Sequence, residues 1–181
     1  MKAPPLLPEE TLYRVLRTAN MDGISVLAIA GFLALGSASM GDFYGAGIGL
    51  LVAAAGAIEL HGSGLLRSGE TRGMNWLLAS QPYLLAILLG YCALRLISFD
   101  PTLLKQAVTA DVRQAIAQAG YQEDHFLKVV YTATYLTLAV GTILFQGGMT
   151  LYYWRRREAV TAALSDGEDD TAVRWDDRFQ Q

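Results

Sequence analysis

Residues 23–60 read GISVLAIAGFLALGSASM, GD, FYGAGIGLLVAAAGAIEL. Asp42 and Glu59 are the only charged side chains in the whole stretch. A helix needs roughly 20 apolar residues to span about 30 Å of hydrocarbon. Residues 23–40 and 43–60 each come close to that length, and flanking Tyr44 and Leu60 help fill it. Only Gly41-Asp42 joins them, which predicts a tight antiparallel helical hairpin.

The same pattern recurs downstream. Residues 75–98 and 126–154 are further apolar runs of spanning length. The expected fold is therefore an all-α integral membrane protein, a bundle of four transmembrane helices. Its domains are a cytoplasmic interfacial helix (1–22), a four-helix membrane domain (23–154) and a cytoplasmic basic-then-acidic tail (155–181). The connection 61–74 is polar and carries Gly62, Gly64, Gly69 and Gly73. The outer loop 99–125 contains an amphipathic pattern: Leu103, Leu104, Ala107, Val108, Val112, Ile116 and Ala117 recur at helical spacing. Asp100 as N-cap and Pro101 at the first position open that extracytoplasmic helix, and Gly120 ends it. At the N-terminus, Pro8 followed by Glu9 and Glu10 marks a helix start. Arg14 and Arg17 there are placed to meet anionic headgroups.

Composition agrees and excludes much else. Hydrophobic residues make up 52% of the 181 and charged residues 17%, against about a quarter charged in a soluble domain. Fourteen Lys and Arg against seventeen Asp and Glu leave a net charge of −3, which excludes a nucleic-acid partner, since that needs clustered positive charge. Cys92 is the single cysteine. His61 and His125 lie far apart with no cysteine nearby, so no metal set is predicted. No phosphate loop, nucleophile elbow or zinc-protease motif occurs, and no cofactor is expected.

Positive charge in short loops marks the cytoplasmic side. With both termini inside, ten of the fourteen Lys and Arg are cytoplasmic; the outer set is Arg95, Lys105, Arg113 and Lys128. Trp154, followed by Arg155, Arg156 and Arg157, is the strongest membrane anchor. The expected location is a cell membrane, of the bacterial inner-membrane kind. The segment before residue 40 is too long and too acidic (Glu9, Glu10, Asp22) for a cleaved signal peptide.

Gly45, Gly49, Ala53 and Ala57 form an i, i+4 run of small residues, and Ala30 and Ala34 repeat that spacing in the first span. Small residues let helix backbones approach closely in lipid, so the two stripes are expected to face each other. Ala133, Thr137 and Gly141 give the fourth span a small face of its own.

Polar groups inside spans are costly and must face protein or water. At 1.5 Å per residue, Glu59 lies about 24 Å from the outer end of its span, Gln81 about 9 Å and Gln146 about 12 Å from inner ends. These three, with His61 and Arg72 beside them, form a candidate polar vestibule on the inner side. The simpler reading is a set of interhelical hydrogen bonds. Pro82 next to Gln81 predicts a kink or a freed carbonyl. The tail, with Asp166 to Asp170 and Trp175 and Phe179 between arginines, reads as a solvated end.

The functional expectation is a non-enzymatic assembly subunit or scaffold of a membrane complex. Its partners are the lipid bilayer and either a second copy or another membrane protein. The alternative is a homo-oligomeric channel or small transporter using the vestibule. In a Cys92→Ala background, right-side-out vesicles should label Ala119→Cys with an impermeant maleimide and Ser165→Cys only after lysis. The opposite pattern would invert the topology.

Overall fold

The computed structural model describes residues 7–99, 105 and 108–179, with side chains as far as Ser165. The helix start expected at Asp100-Pro101 lies outside the described residues, as do the side chains of the acidic tail. Among the described residues, five helices can be bounded: α1 (Pro8–Ser39), α2 (Phe43–Arg67), α3 (Gly73–Ile97), α4 (Ala110–Gln118) and α5 (Glu123–Phe179). No strand occurs among the described residues. The helices α1, α2, α3 and the Glu123–Ser165 part of α5 are long and apolar enough to cross a membrane. Phe32, Leu35 and Leu144 are each more than 70% exposed, a cost in water that lipid removes.

Four boundaries differ from the sequence reading. The amphipathic helix expected in the outer loop is not continuous through Val108, because Val108 and Thr109 are not helical and Thr109, in extended conformation, caps α4 at Ala110. The N-terminal segment is not a separate helix, because α1 runs unbroken from Pro8 to Ser39 through the expected junction at residue 22. Nothing between Arg17 and Gly23 breaks a helix, and the face Thr11, Val15, Ala19, Gly23 is buried continuously across the junction. The second span continues past Leu60 to Arg67, so Gly62 and Gly64 are helical rather than loop residues. The last helix does not stop near Gly167 but continues to Phe179. As expected, α3 is one helix containing Pro82, and Gly120 ends α4 with φ +75°.

The chain divides into two units, Met1–Leu84 with Gln146–Gln181, and Leu85–Phe145. In the first, the turn between α1 and α2 is made by Gly41 at φ 77° and by Asp42, whose side chain accepts from the Gly45 amide at 2.9 Å. That bond supplies the N-cap of α2. The hairpin packs through small residues, on a face slightly rotated from the i, i+4 stripe. A Cβ on Gly49 would meet the Ala34 Cβ at 2.8 Å, and one on Gly56 would meet the Gly23 carbonyl and Leu27 amide at 2.7 Å. Ala30, Ala34 and Ala53 are buried, whereas Ala57 is exposed. Gly45 packs against its own cap, Asp42, and against Ser37. The seam is Gly49, Ala53, Gly56, at i, i+4, i+7, which follows the 3.6-residue turn that a strict i, i+4 run drifts away from.

A second close crossing joins α2 to α3, where Cβ atoms on Gly62 and Gly73 would each strike the other's backbone carbonyl. Around it, Val15 and Ala19 of α1, Leu66 of α2, Met74 and Leu77 of α3, and Tyr153 and Val160 of α5 form the buried core. All four long helices contribute to it.

The second unit holds the end of α3, α4 and the start of α5. The Tyr131 hydroxyl donates to the Arg95 carbonyl at 3.0 Å, and Arg95 lies over the Tyr91 ring at 5.4 Å. Lys105 pairs with Asp124 at 2.6 Å and Arg113 with Glu123 at 3.3 Å. The Asp124 carboxylate holds the Lys105 ammonium above the usual lysine range.

Gly56→Val should cost about 1–3 kcal/mol, because the added side chain is forced against backbone. Gly47→Ala, where a Cβ meets nothing within 4 Å, should be neutral or slightly stabilising. Unfolding in mixed micelles titrated with dodecyl sulfate measures both.

Candidate functional site: a buried carboxyl centre

The two glycine crossings decide where the polar side chains meet. Gly56 against Gly23 brings Glu59, one turn further along α2, beside Asp22 of α1. Gly62 against Gly73 and Trp76 brings the next turn of α3, with Gln81, over the same place. On α5, Gln146, Tyr153 and Val160 recur every seven residues, and all three are buried. That face delivers the Tyr153 hydroxyl.

Glu59 sits at the centre. Its Oε1 accepts from the Tyr153 hydroxyl at 2.5 Å and from Gln81 Nε2 at 3.1 Å. The Asp22 side chain lies near it. One residue from each of the four long helices therefore converges on a single carboxyl group. One turn along α2, the Ser63 hydroxyl lies 2.9 Å from both Asn20 Oδ1 and the Leu60 carbonyl. Ser80 donates to the Leu77 carbonyl at 2.9 Å.

The middle of the centre is buried, and Asp22 and Asn20 at its edge are half-buried. Glu59, Ser63, Ser80, Gln81 and Tyr153 are each 2% exposed or less. Three buried acceptors, Asp22 Oδ2, Gln81 Oε1 and Gln146 Oε1, have no partner among the described residues. No group of three His, Cys, Asp or Glu able to hold a metal occurs among the described residues.

Of the five residues expected in the vestibule, Glu59 and Gln81 are brought together. Gln146 is buried, but its Oε1 reaches neither of them. His61 and Arg72 are not part of the centre. His61 is exposed, its ring edge-on to Trp76 at 5.2 Å. Two residues beyond Glu59, it falls on the opposite side of the helix. Arg72 is exposed and borders a surface groove with Glu70 and Ser165.

Sequence reasoning missed Asp22, Tyr153, Asn20 and Ser63. Asp22 was assigned to a separate N-terminal helix, although it follows Ala19 by three residues on the buried face. The seven-residue repeat of Gln146, Tyr153 and Val160 was a signal for Tyr153. No protein-family model, curated protein or solved structure matches the chain.

Tyr153→Phe and Gln81→Leu each remove one donor from the same oxygen. Each should cost about 0.6–1.7 kcal/mol, the range for hydrogen bonds between membrane helices. The double variant should depart from additivity by about 0.5 kcal/mol or more, as for residues of one network. Strict additivity in the same micelle titration would show two independent bonds.

Proposed function

We propose that this chain is a polytopic membrane protein without catalytic activity, an assembly subunit or scaffold in a membrane complex. It would lie in a cell membrane of the bacterial inner-membrane kind with both termini in the cytoplasm. The observation that carries this reading is the buried centre, whose polar side chains tie the four long helices together. Faces not used in this packing are left for assembly. On α5, the small residues Ala133, Thr137 and Gly141 are all exposed, and a Cβ on Gly141 would meet nothing within 4 Å. A face of this kind suits a second membrane helix, from another copy or another subunit.

The second reading, a channel or small transporter formed by several copies, is favoured by the three unpartnered acceptors at Asp22, Gln81 and Gln146. Buried acceptors without donors are uncommon and invite a proton or a polar solute. Proteoliposomes separate the two readings. Under a pH or potassium gradient, the protein should give ion and proton flux equal to empty vesicles. Flux above that level that disappears in Glu59→Gln would overturn the scaffold reading.

A further inference from the structure

The first turns of α1 and the Gly148–Ala159 part of α5 lie side by side in the first unit, and their facing sides are strongly basic. Arg14 and Arg17 line one groove, of about 440 Å³, together with Tyr152 and Arg156. Arg155 lines a second, of about 580 Å³, again with Tyr152 and Arg156. The two grooves share a wall, and that wall is a stacked pair: the Arg156 guanidinium lies 4.8 Å from the centre of the Tyr152 ring. Stacking on an aromatic face fixes the guanidinium plane and leaves its N–H edge free for a bidentate acceptor. Among the described residues, Glu10 is the one carboxylate paired with these arginines, to Arg14 at 2.7 Å. Among the described residues, Arg14 alone of the four cations is held in an ion pair, and Glu158 lines a neighbouring groove with Arg155.

Each groove also has an apolar part to its lining. On α5, Leu151 and Gly148 continue one groove from Arg155 towards the middle of the helix. A Cβ on Gly147 or Gly148 would meet nothing within 4 Å, so this side of the helix is notched. On α1, Met21 continues the other groove from Arg17, also towards the middle of its helix. On each side of the Arg156–Tyr152 wall, charge gives way along the helix to an apolar side chain, Leu151 on one side and Met21 on the other.

We propose that this ridge is a binding site for one anionic diacyl phospholipid. The phosphodiester would be held by Arg156, with Arg155 on one side and Arg14 and Arg17 on the other. One acyl chain would follow Leu151 and Gly148, and the other would follow Met21. A zwitterionic lipid carries a cation on its headgroup that four arginines repel, so selection is for net negative charge. Free phosphate satisfies the guanidinium edge but leaves the apolar part of both grooves empty. The proposal rests on the membrane reading of the chain and extends it to a particular class of lipid.

Native mass spectrometry of the full chain from mild detergent tests it. The probes are dioleoylphosphatidylglycerol, dioleoylphosphatidylcholine and inorganic phosphate. The expected result is one retained phosphatidylglycerol, bound at least fivefold more tightly than phosphatidylcholine and not displaced by phosphate. Arg156→Gln and, separately, Gly148→Leu should each weaken it at least fivefold. Gly148→Leu keeps every charge and fills only the groove. Arg157→Gln, next to the ridge but outside both grooves, should bind as the parent does. Helical circular dichroism and a single elution peak certify each variant. Equal binding of the two lipids, equal weakening by Arg157→Gln, an unchanged Gly148→Leu, or phosphate competing as a free anion would each overturn the lipid site. Failure of the chain to fractionate with membranes would instead overturn the membrane reading beneath it.

Discussion

One oxygen atom carries the arrangement of this bundle. Glu59 Oε1 accepts from Tyr153 and from Gln81, while Asp22 faces the same carboxyl group. A carboxyl in an apolar helix is expensive wherever water is absent, and the expense falls only when donors surround it. In an aqueous core such a group would be one contact among many. In a bundle meant for hydrocarbon, apolar contacts discriminate poorly between protein and lipid. A shared polar acceptor then does what hydrophobic packing does elsewhere, which is to specify which helix faces which and at what height.

The acceptor works because the backbones come close first. Gly23 against Gly56 and Gly62 against Gly73 set two helix crossings on either side of Glu59. Side chains at those four positions would push the helices apart by more than a hydrogen bond tolerates. The glycines are thus the near cause of the geometry, and the carboxyl group is the reason the geometry is unique. Leu66, Met74, Leu77 and Tyr153 then fill the remaining space as a buried core.

Much of this was legible in the sequence. The four spans, the tight turn at Gly41-Asp42 and the end of α4 at Gly120 follow from apolar run length and glycine chemistry, which are local properties. Glu59 and Gln81 stood out because a polar side chain in an apolar run is conspicuous. Asp22, Asn20 and Tyr153 did not, for the opposite reason. Asp22 and Asn20 sit at the edge of an apolar run, where polarity is ordinary, and a tyrosine near a run of arginines looks like a headgroup contact. His61 was misread because depth along a helix was weighed without its phase around the axis. Gly62 and Gly73 were read as loop residues, since a glycine that permits a crossing and a glycine that permits a turn look alike in one dimension.

Tyr153 lies 94 residues after Glu59. A ribosome adding about 5–20 residues per second takes on the order of 5–20 seconds to cover that interval. During that time α1 and α2 exist as a hairpin whose buried acid has Asp22 for company and, later, Gln81, but not the tyrosine hydroxyl. The newborn protein therefore passes through a stage in which its most polar interior group is incompletely matched, and only the last long helix completes it. Biogenesis of this chain ends with a closing step, and the order of synthesis makes α5 the clasp.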